Sequence, residues 1–562
     1  MHLFDIFEHA AASQPNKPAF IYYSSHTKKW DVFTYQQFAD STNRFILGLQ
    51  ACSLTPGLTA AVMTPPSIEF FPFALALLKL GIIPIILDPA IGLKKVGEIL
   101  NESQPDIFIG NTLTHALRII FGWGRETVKV NTSISQILQN AECGMQDTEH
   151  VTRNTQLHPE RSRRDATSSS PAAIIYTSGS TGLPKGALYT QANLAAQLTM
   201  LQQTFHITPD EIDLPAFPLY ALIDVLLGVT SIIPDVTFPI PAKTDPAKVI
   251  STIQQFNVTN MFASPVVLDI LSSFWSAGAC SRTPPQHPQG TRAAGLQSLK
   301  RIITAGAPAT IPLQEKFRKL LDDKTDLFGI YGATETLPIA KIESREIFSL
   351  KKKTESGAGV CLGRPIDGVT VRIIEISESA ISEWRDDLEV KKNVVGEITV
   401  QSAATTRAYV GQISNLTYKI KIGDDIIHRM GDVGYFDEEG RLWYCGRKSH
   451  RVITKDGILF TEQIENIFNA HPQVNRTALV GVDGEPVLWV ELEKNVRANK
   501  DKIRQGLIAM AKHHPQASKI KEFLFMKKFP TDVRHNSKII REQLAVQANK
   551  RISNHKSPVS SH

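Results

Sequence analysis

The most informative segment of the sequence reads Tyr176-Thr-Ser-Gly-Ser-Thr-Gly-Leu-Pro-Lys-Gly186. It follows an apolar run, Ala172–Ile175, that predicts a strand, and it precedes an apolar-periodic segment, Ala192–Leu201, that predicts a helix. Glycines let the backbone approach a ligand closely, and the exposed N–H groups of such a loop form a concavity that binds anions. The residues predicted to hold a polyphosphate are Thr177, Ser178, Gly179, Ser180, Thr181, Gly182 and Lys185.

Two other interpretations of this loop fit the sequence less well. A flexible Ser/Gly linker would not usually sit between a buried strand and a periodic helix. A Walker A loop needs Gly-x-x-x-x-Gly-Lys-[Ser/Thr], whereas Lys185 stands three residues after Gly182 and is followed by Gly186. The spacing therefore excludes a P-loop NTPase.

Strands and helices alternate through the first third of the chain. Thr34 and Gln37 have the spacing of a capping box, and apolar residues recur behind them with helical periodicity. Leu58–Met63 and Ile82–Leu87 are short apolar runs that predict buried strands. This alternation predicts an α/β fold with a large N-terminal domain of βαβ-type sheets and helices.

The last hundred or so residues predict a second, smaller unit. A strand pattern ends near Arg447, and a helical pattern runs from Thr461 to Ala470. We expect a small α+β domain here, so that the two domains cover residues 1–447 and 448–562. The polar stretches 146–170 and 277–295 predict surface loops within the first domain.

Charge and cysteine content narrow the function classes. The 562-residue chain has a formal net charge of +6 without the concentrated basic stripe of nucleic-acid binders, so no nucleic-acid partner is expected. Its five cysteines are odd in number and include no Cys-x-x-Cys pair. This argues against a disulfide framework and a structural zinc site, and favours a reducing cytoplasm.

The sequence predicts no membrane span. The apolar stretch Phe70–Leu87 is interrupted by a lysine, a glycine and a proline, so a buried helix and strand are expected there. The first residues lack the pattern of a signal peptide. A cytoplasmic location is therefore expected, and the basic C-terminal part would still allow peripheral contact with a membrane.

Further motifs follow the phosphate loop in order: Ala305-Gly-Ala-Pro308, Tyr331-Gly-Ala-Thr-Glu335, Gly396-Glu-Ile398, Gly431-Asp432, Gly446-Arg447 and Lys538. Together they resemble the adenylate-forming superfamily of acyl-CoA synthetases, peptide-synthetase adenylation domains and luciferases. The resemblance runs from about Thr34 to Arg541. It implies an enzyme that uses ATP and Mg²⁺ to join a carboxylic acid to AMP, with a mobile C-terminal domain that swings about a hinge at Ser449.

The resemblance also implies a role for each motif residue. Tyr331 would stack on adenine, Glu335 would bind the metal ion, and Asp432 would accept hydrogen bonds from the ribose. Nucleotide-binding residues outside the loop would be Ala305, Gly306, Ala307, Tyr331, Gly332 and Asp432. Catalytic residues would be Thr334, Glu335, Arg447 and Lys538, with Arg447 and Lys538 supplying positive charge where pyrophosphate leaves.

The acid pocket is predicted less directly. In the family it is lined by segments that match Phe217–Gly228, Phe262–Val267 and Ala305–Pro308, and apolar side chains dominate the first of these. The candidate pocket residues are Tyr220, Ala221, Ser264 and Pro265. Ala221 stands where amino-acid-activating members usually have an Asp and many acyl-CoA synthetases have a His, which weighs against an amino-acid substrate.

A narrower resemblance concerns the segments Glu211–Leu219, Thr259–Pro265 and Phe529–Lys538. They look like the β-lactone synthetases of bacterial long-chain olefin biosynthesis, in which the β-hydroxyl of an adenylated acid displaces AMP and CoA is not needed. An intramolecular nucleophile has a large entropic advantage. Three alternatives stay open: a long-chain acyl-CoA ligase, acyl transfer to a carrier protein, and a nucleotide-binding sensor without turnover. Chain length, stereochemistry, oligomeric state and any role of His535 are open.

Overall fold

The computed structural model describes residues 3–24, 27–64, 67–87, 92–148, 169–177, 184–217, 220–233, 243–276, 296–411, 415–493, 499–531 and 538–556. The predicted loop 277–295, and most of the predicted loop 146–170, lie outside these residues.

The strands are β1 (Pro18–Ser24), β2 (Lys29–Thr34), β3 (Thr59–Met63), β4 (Ile83–Ile86), β5 (Ile107–Gly110), β6 (Val130–Thr132), β7 (Pro171–Thr177), β8 (Lys185–Thr190), β9 (Ile212–Pro215), β10 (Thr230–Ile233), β11 (Asn260–Ala263), β12 (Arg301–Thr304), β13 (Asp326–Ala333), β14 (Thr336–Glu343), β15 (Val360–Pro365), β16 (Val369–Ile374), β17 (Gly396–Ser402), β18 (Ala408–Val410), β19 (Lys419–Ile422), β20 (Asp425–Phe436), β21 (Leu442–Arg447), β22 (Val452–Thr454), β23 (Gly457–Leu459), β24 (Val474–Val482), β25 (Glu485–Leu492) and β26 (Glu522–Met526).

The helices are α1 (Leu3–Ser13), α2 (Tyr35–Ala51), α3 (Phe70–Lys79), α4 (Leu93–Ser103), α5 (Thr112–Phe121), α6 (Ile134–Thr148), α7 (Gln191–Phe205), α8 (Tyr220–Leu226), α9 (Pro246–Phe256), α10 (Pro265–Ser276), α11 (Ile311–Arg318), α12 (Ser344–Ser349), α13 (Lys351–Lys353), α14 (Asn415–Tyr418), α15 (Thr461–Asn469), α16 (Lys500–Lys512) and α17 (Arg541–Lys556).

Two large sheets organise most of the described chain, which has the mixed α/β fold that the sequence predicts. A fourteen-stranded sheet runs in the order β16-β17-β20-β21-β15-β14-β13-β12-β11-β9-β10-β1-β2, with β19 paired to β20. A seven-stranded sheet runs in the order β18-β8-β7-β4-β3-β5-β6. Strands β3, β4 and β5 pair in parallel, as expected for βαβ units.

Local signals behave as the sequence predicts. Thr34 and Gln37 form the capping box that starts α2, and Phe38, Phe45 and Leu49 on its inner face are buried. The apolar stretch from residue 70 to residue 87 forms α3 followed by the buried strand β4. Within the described ranges, no helix is both long enough and apolar enough to cross a bilayer.

The parallel strands β9, β11, β12 and β13 bring the predicted site motifs to one edge of the large sheet. The chain leaves β11 at Ser264 and β12 at Ala305, while Tyr331 lies near the end of β13. These strands run side by side in parallel. Segments that follow parallel strands meet at the carboxyl edge of a sheet, where ligands of such folds bind.

A smaller unit follows β21. It contains the two-stranded sheet β22-β23 and the three-stranded sheet β24-β25-β26, in which β25 and β26 pair in parallel. Helices α15 and α16 pack on the three-stranded sheet through a core that includes Ile464, Phe468 and Leu507. The α+β character agrees with the prediction, and the boundary between residues 447 and 448 stays a prediction.

Candidate active site

The phosphate loop is flanked by two paired strands. β7 and β8 are antiparallel, and Thr177 lies opposite Lys185 in their register. Ser178, Gly179, Ser180, Thr181 and Gly182 lie outside the described residues. The sequence predicts the strand before the loop correctly but misses β8, since the segment from Lys185 to Thr190 extends the sheet before α7 begins.

Lys185 is held by aromatic rings at the mouth of this hairpin. Its Nζ atom lies 3.4 Å from the ring centroid of Tyr418 and 5.9 Å from that of Tyr409. A cation over an aromatic face is attracted by the ring quadrupole. The two rings therefore restrain the ammonium group that the sequence assigns to phosphate binding.

Glu335 is tied to the same aromatic pair. The hydroxyl of Tyr409 donates a hydrogen bond to Oε1 of Glu335 at 2.6 Å, and the N–H of Thr406 donates to the Glu335 carbonyl at 2.8 Å. The hydroxyl of Tyr189 donates to the neighbouring carbonyl of Thr334. Both motif residues are thus fixed from the β8–β18 side, where Tyr409 pairs with Ala187.

Lys419 is a buried basic residue near Glu335, and the buried His428 lies near Lys419. Burial lowers the pKa of Lys419 to about 7, and the nearby charge of Glu335 opposes this shift. Burial and the neighbouring Lys419 also hold the pKa of His428 well below its usual value. Sequence reasoning did not find Tyr409, Tyr418, Lys419 or His428, because none belongs to a motif with a recognisable spacing.

Asp432 is the centre of a second cluster, which is formed by residues that the sequence names as site candidates. The hydroxyl of Tyr331 donates to Oδ2 of Asp432 at 2.7 Å, and Nη1 of Arg447 lies 3.0 Å from Oδ1. Asp432 and Arg447 face each other in the register of β20 and β21. Three motifs that are far apart in sequence therefore meet at one carboxylate.

The charge state of this cluster follows from burial and from its cations. Burial raises the pKa of Asp432, and Arg447 and Tyr331 act in the opposite direction. The charge of Asp432 raises the pKa of Arg447 in return. Oδ1 of Asp432 accepts no hydrogen bond from any described residue, since the contact with Arg447 meets the distance of an ion pair but not the geometry of a hydrogen bond. A buried carboxylate oxygen of this kind suits a ligand hydroxyl.

Lys538 reaches this cluster from the C-terminal unit. Its positive charge lowers the pKa of Asp432, so the ammonium group lies within electrostatic range of that carboxylate. Ser449 lies in a short 3₁₀ turn, Lys448–His450. Nζ of Lys448 lies 3.2 Å from Glu397, and Nη2 of Arg451 lies 2.6 Å from Glu378. The residues that flank the predicted hinge at Ser449 therefore form ion pairs with residues that precede the hinge in sequence.

Gly332 and Gly306 show why their motifs contain glycine. A Cβ atom on Gly332 would lie 2.4 Å from Cδ1 of Leu337, so a side chain would collide within the β13–β14 turn. Gly306 has a φ of +89°, in the region that favours glycine, and it lies between Ala305 and Ala307 directly after β12.

The predicted acid-pocket residues do not all lie together. Tyr220 stacks on Phe262, with ring centroids 3.6 Å apart, and both rings line a cavity of about 50 Å³ with apolar neighbours such as Ile303 and Ile330. Ser264 follows β11 directly, and Pro265 begins α10. Ala221, in contrast, is buried in the core cluster that α1 and α8 share, and it does not line the cavity.

The floor of this cavity is polar. Asp213, Asn260 and Arg301 lie side by side in the register of β9, β11 and β12. Asp213 and Asp224 share a hydrogen bond; burial raises the pKa of Asp213 to about 7 and raises that of Asp224 well above its usual value. Since two adjacent buried carboxylates cannot both ionise readily, we interpret them as sharing one proton.

The comparison with known protein families agrees with this architecture. The family model described as "AMP-binding enzyme" matches residues 7–410. The chain belongs to this family. As an AMP-binding enzyme of the adenylate-forming type it is an AMP-forming ligase, and the ordered motif series and the cluster around Asp432 are consistent with this assignment.

Two relatives refine the position of this AMP-binding enzyme within the family. It is 37% identical over 527 residues to the olefin beta-lactone synthetase of Xanthomonas campestris pv. campestris, covering 92% of this chain and 90% of the relative. It is 36% identical over 525 residues to the olefin beta-lactone synthetase of Stenotrophomonas maltophilia, covering 92% of this chain and 91% of the relative. The predicted resemblance to this group is confirmed.

The fold is also that of solved members of the family. The O-succinylbenzoate coenzyme A synthetase from Bacillus subtilis, solved in complex with ATP and a magnesium ion, superimposes with a TM-score of 0.70 and 20% identity. The match covers 96% of this chain and 98% of that one. At this identity the likeness shows the fold and no more.

Proposed function

We propose that this enzyme adenylates a long-chain β-hydroxy carboxylic acid and then closes it to a β-lactone. The observation that carries the proposal is the likeness to two olefin beta-lactone synthetases over 92% of the chain. In the first step a substrate carboxylate oxygen attacks the α-phosphorus of ATP and pyrophosphate leaves. In the second step the β-hydroxyl oxygen attacks the acyl carbonyl carbon, the bond to AMP breaks, and the hydroxyl proton is released.

The residues of the Asp432 cluster would bind the nucleoside. Asp432 would accept hydrogen bonds from the ribose through its Oδ1, and Tyr331 would offer its ring to the adenine. Ala305, Gly306, Ala307 and Gly332 would border the base and the acyl phosphate. The Tyr331–Asp432 hydrogen bond holds the aromatic ring and the carboxylate at a set separation before ATP arrives. This prior order lowers the entropic cost of binding.

The phosphates would lie between the loop that contains Lys185 and the Thr334–Glu335 pair. Thr334 would donate to a phosphate oxygen. Glu335 suits a magnesium ion, because it is a half-buried carboxylate whose orientation is set by Tyr409, and Mg²⁺ prefers such oxygen ligands together with phosphates. When bound, the ion would neutralise phosphate charge.

Arg447 and Lys538 would stabilise the negative charge that develops during adenylation. In the structure Arg447 forms an ion pair with Asp432, and the charge of Lys538 lowers the pKa of the same carboxylate. Charges placed in advance need no rearrangement as the reaction proceeds. Residues 1–447 then form the domain that binds ATP and the acid, and residues 448–562 form a mobile domain that turns about Ser449.

The acyl chain would enter the apolar cavity beside Tyr220. Ser264 and Pro265 would border its entrance at the start of α10. The cavity combines a polar floor with apolar side chains such as Ile223, Ile303 and Ile330, and the alkyl chain would pack against these apolar side chains. The cavity of about 50 Å³ is too small for a long chain, so binding of one requires lining side chains such as Tyr220 and Phe262 to move.

One experiment separates lactone formation from acyl-CoA synthesis. Steady-state AMP release is measured with a long-chain acid and with its β-hydroxy analogue, each with and without CoA. We expect turnover that requires the β-hydroxyl and ignores CoA, with a lactone identified by mass. Turnover of the plain acid that depends strictly on CoA would identify a long-chain acyl-CoA ligase and overturn lactone formation.

A further inference from the structure

Helix α5 presents its apolar side to solvent. Leu113, Ile119 and Ile120 are the most exposed large apolar side chains in the described part of the chain, with between 65% and 76% of their surface accessible. Ala116 is also exposed and lies between them on the helix, and Phe121 at the helix end is half exposed. We call these five residues the outer apolar face.

The opposite side of α5 is firmly attached to the protein. Nε2 of His115 lies 3.0 Å from the carbonyl of Thr132, and the guanidinium of Arg118 lies over the ring of Phe108. Leu117 contributes to the core cluster beneath the helix. A surface helix ordinarily turns its apolar side inwards. Here polar contacts attach the helix, and the outer apolar face has no covering element among the described residues.

The ends of α5 are fixed as well. Asn111 forms a capping box with Thr114 at the first turn, and Gly122 ends the helix with a φ of +66°. Phe121 stacks on Trp123, with ring centroids 5.4 Å apart. The exposed side chains therefore project from a helix with defined ends.

Exposed basic residues lie in the two segments next to Trp123. Trp123 contacts Gly97 of α4, one turn after the exposed Leu93, Lys94 and Lys95 that begin that helix. Arg125 is exposed on the other side of Trp123, beside the carboxylate of Glu126. Helix α5 contains no Asp or Glu, and its Arg118 and His115 lie on the attached side. Lys94, Lys95 and Arg125 are thus opposed by one exposed carboxylate, Glu126, in these two segments.

We infer that the outer apolar face docks on an anionic lipid surface. An amphipathic helix with an apolar face and flanking Lys or Arg residues lies in the plane of a membrane interface. At ten residues, α5 is far too short to cross a bilayer, so it would lie on the membrane. A second copy of this chain fits less well, since a symmetric contact would bring Lys94, Lys95 and Arg125 of both copies together.

The docking face lies away from the proposed active site. Helix α5 joins β5 to β6, at one end of the seven-stranded sheet, whereas β7 and β8 flank the phosphate loop nearer the other end. Docking would leave that loop accessible. The inference does not depend on lactone formation, although a long-chain acid would itself concentrate in a lipid surface.

Co-sedimentation with vesicles tests the inference. The full-length protein is mixed with vesicles of phosphatidylcholine alone or of phosphatidylcholine with phosphatidylglycerol, at low and high salt. We expect binding to the anionic vesicles that weakens with salt. Ile120→Asp should reduce this binding at least about tenfold, because a charge replaces an apolar side chain that would be buried in the lipid surface. Lys94→Gln should reduce it about fivefold, as expected for one lysine near an anionic surface.

Val546→Asp is the matched control. Val546 is 57% exposed on α17. The substitution therefore adds the same charge to another exposed apolar position, and it should leave vesicle binding unchanged. Pyrophosphate exchange into ATP should be unaffected in all three variants, which separates this test from that of the proposed function. No binding of the wild-type protein to anionic vesicles, or equal loss with Val546→Asp, would overturn the inference. A dimer that Ile120→Asp abolishes, without vesicle binding, would assign the face to self-association instead.

Discussion

The hydroxyl of Tyr409 donates a hydrogen bond to Oε1 of Glu335 across 2.6 Å, and the same ring lies 5.9 Å from the ammonium group of Lys185. One tyrosine therefore contacts the carboxylate assigned to magnesium and lies near the cation assigned to phosphate. Tyr409 touches neither reacting atom in our proposal and acts by positioning Glu335.

Tyr409→Phe should raise the magnesium concentration needed for half-maximal activity. The substitution keeps the ring and removes only the hydroxyl that orients Glu335. A hydrogen bond to a charged group contributes about 1.5–3 kcal/mol, so we expect roughly a tenfold or larger loss of activity at limiting magnesium. The measurement is a magnesium titration of acid-dependent pyrophosphate exchange. Tyr435→Phe, which removes a hydroxyl that donates to the carbonyl of Ala358, is the control; equal effects of both variants would contradict the assignment.

Glu335→Gln should also increase the magnesium requirement, because it removes the negative charge of the ligand and preserves its shape. Since Tyr409 acts through Glu335, the double variant Tyr409→Phe/Glu335→Gln should need little more magnesium than Glu335→Gln alone. Magnesium titrations of the single and double variants provide the comparison. Wild-type magnesium dependence of Glu335→Gln would show that the residue is only structural.

Lys538→Ala should slow adenylation about a hundredfold to a thousandfold, as is typical when one positioned electrostatic contact is lost. ATP binding by the large domain should persist, since Asp432, Tyr331 and Arg447 remain. Single-turnover formation of the acyl adenylate and equilibrium binding of ATP are measured in parallel. Lys521→Ala, at an exposed position of the same C-terminal unit, is the control. A normal rate for Lys538→Ala would place the catalytic lysine elsewhere.

The carboxyl pair Asp213–Asp224, which lines the cavity beside Tyr220, should make stability depend on pH. The pKa of Asp213 is raised by burial from 3.8 to about 7, so the folded protein binds more protons than the unfolded chain between these values. Stability should therefore fall as pH rises from about 4 to about 7, with a contribution on the order of 3 kcal/mol. Asp213→Asn cannot ionise there and should lose less stability over this range.

Thermal unfolding at pH 5 and pH 8 measures this difference. Asp269→Asn, at an exposed position on α10, controls for the change in net charge. If Asp213→Asn and the wild-type protein lose the same stability between the two pH values, Asp213 is not the group that ionises in this range.

Motif residues were predictable because each motif forms its own local structure. The capping box at Thr34 needs only four consecutive residues, and the strand before the phosphate loop is an uninterrupted apolar run. The order of the motifs identified Tyr331, Asp432 and Arg447 as candidate site residues, and the structure shows the hydrogen bond and the ion pair between them. The roles assigned to the site residues stay predictions until the variants are measured.

Residues whose side chains contact a distant part of the sequence could not be predicted in the same way. Tyr409 lies 74 residues after Glu335 in sequence, and only the pairing of β18 with β8 brings its hydroxyl to that carboxylate. Asp213 resembles an ordinary strand residue until the packing of α8 places Asp224 beside it and removes both from water. Strand pairing and burial depend on the whole chain, so no short window of sequence contains them.

Amino-acid order was enough to establish the adenylate-forming family and the α/β fold class and to propose a nucleotide site, because glycine-rich turns, capping residues and motif spacing act over short distances. Tertiary structure was needed to show which side chains restrain Lys185 and Glu335, to place Ala221 in the core, and to show that α5 turns its apolar side outwards. The physical reason is that helical periodicity predicts an apolar face but not its covering, which depends on the elements that pack around it.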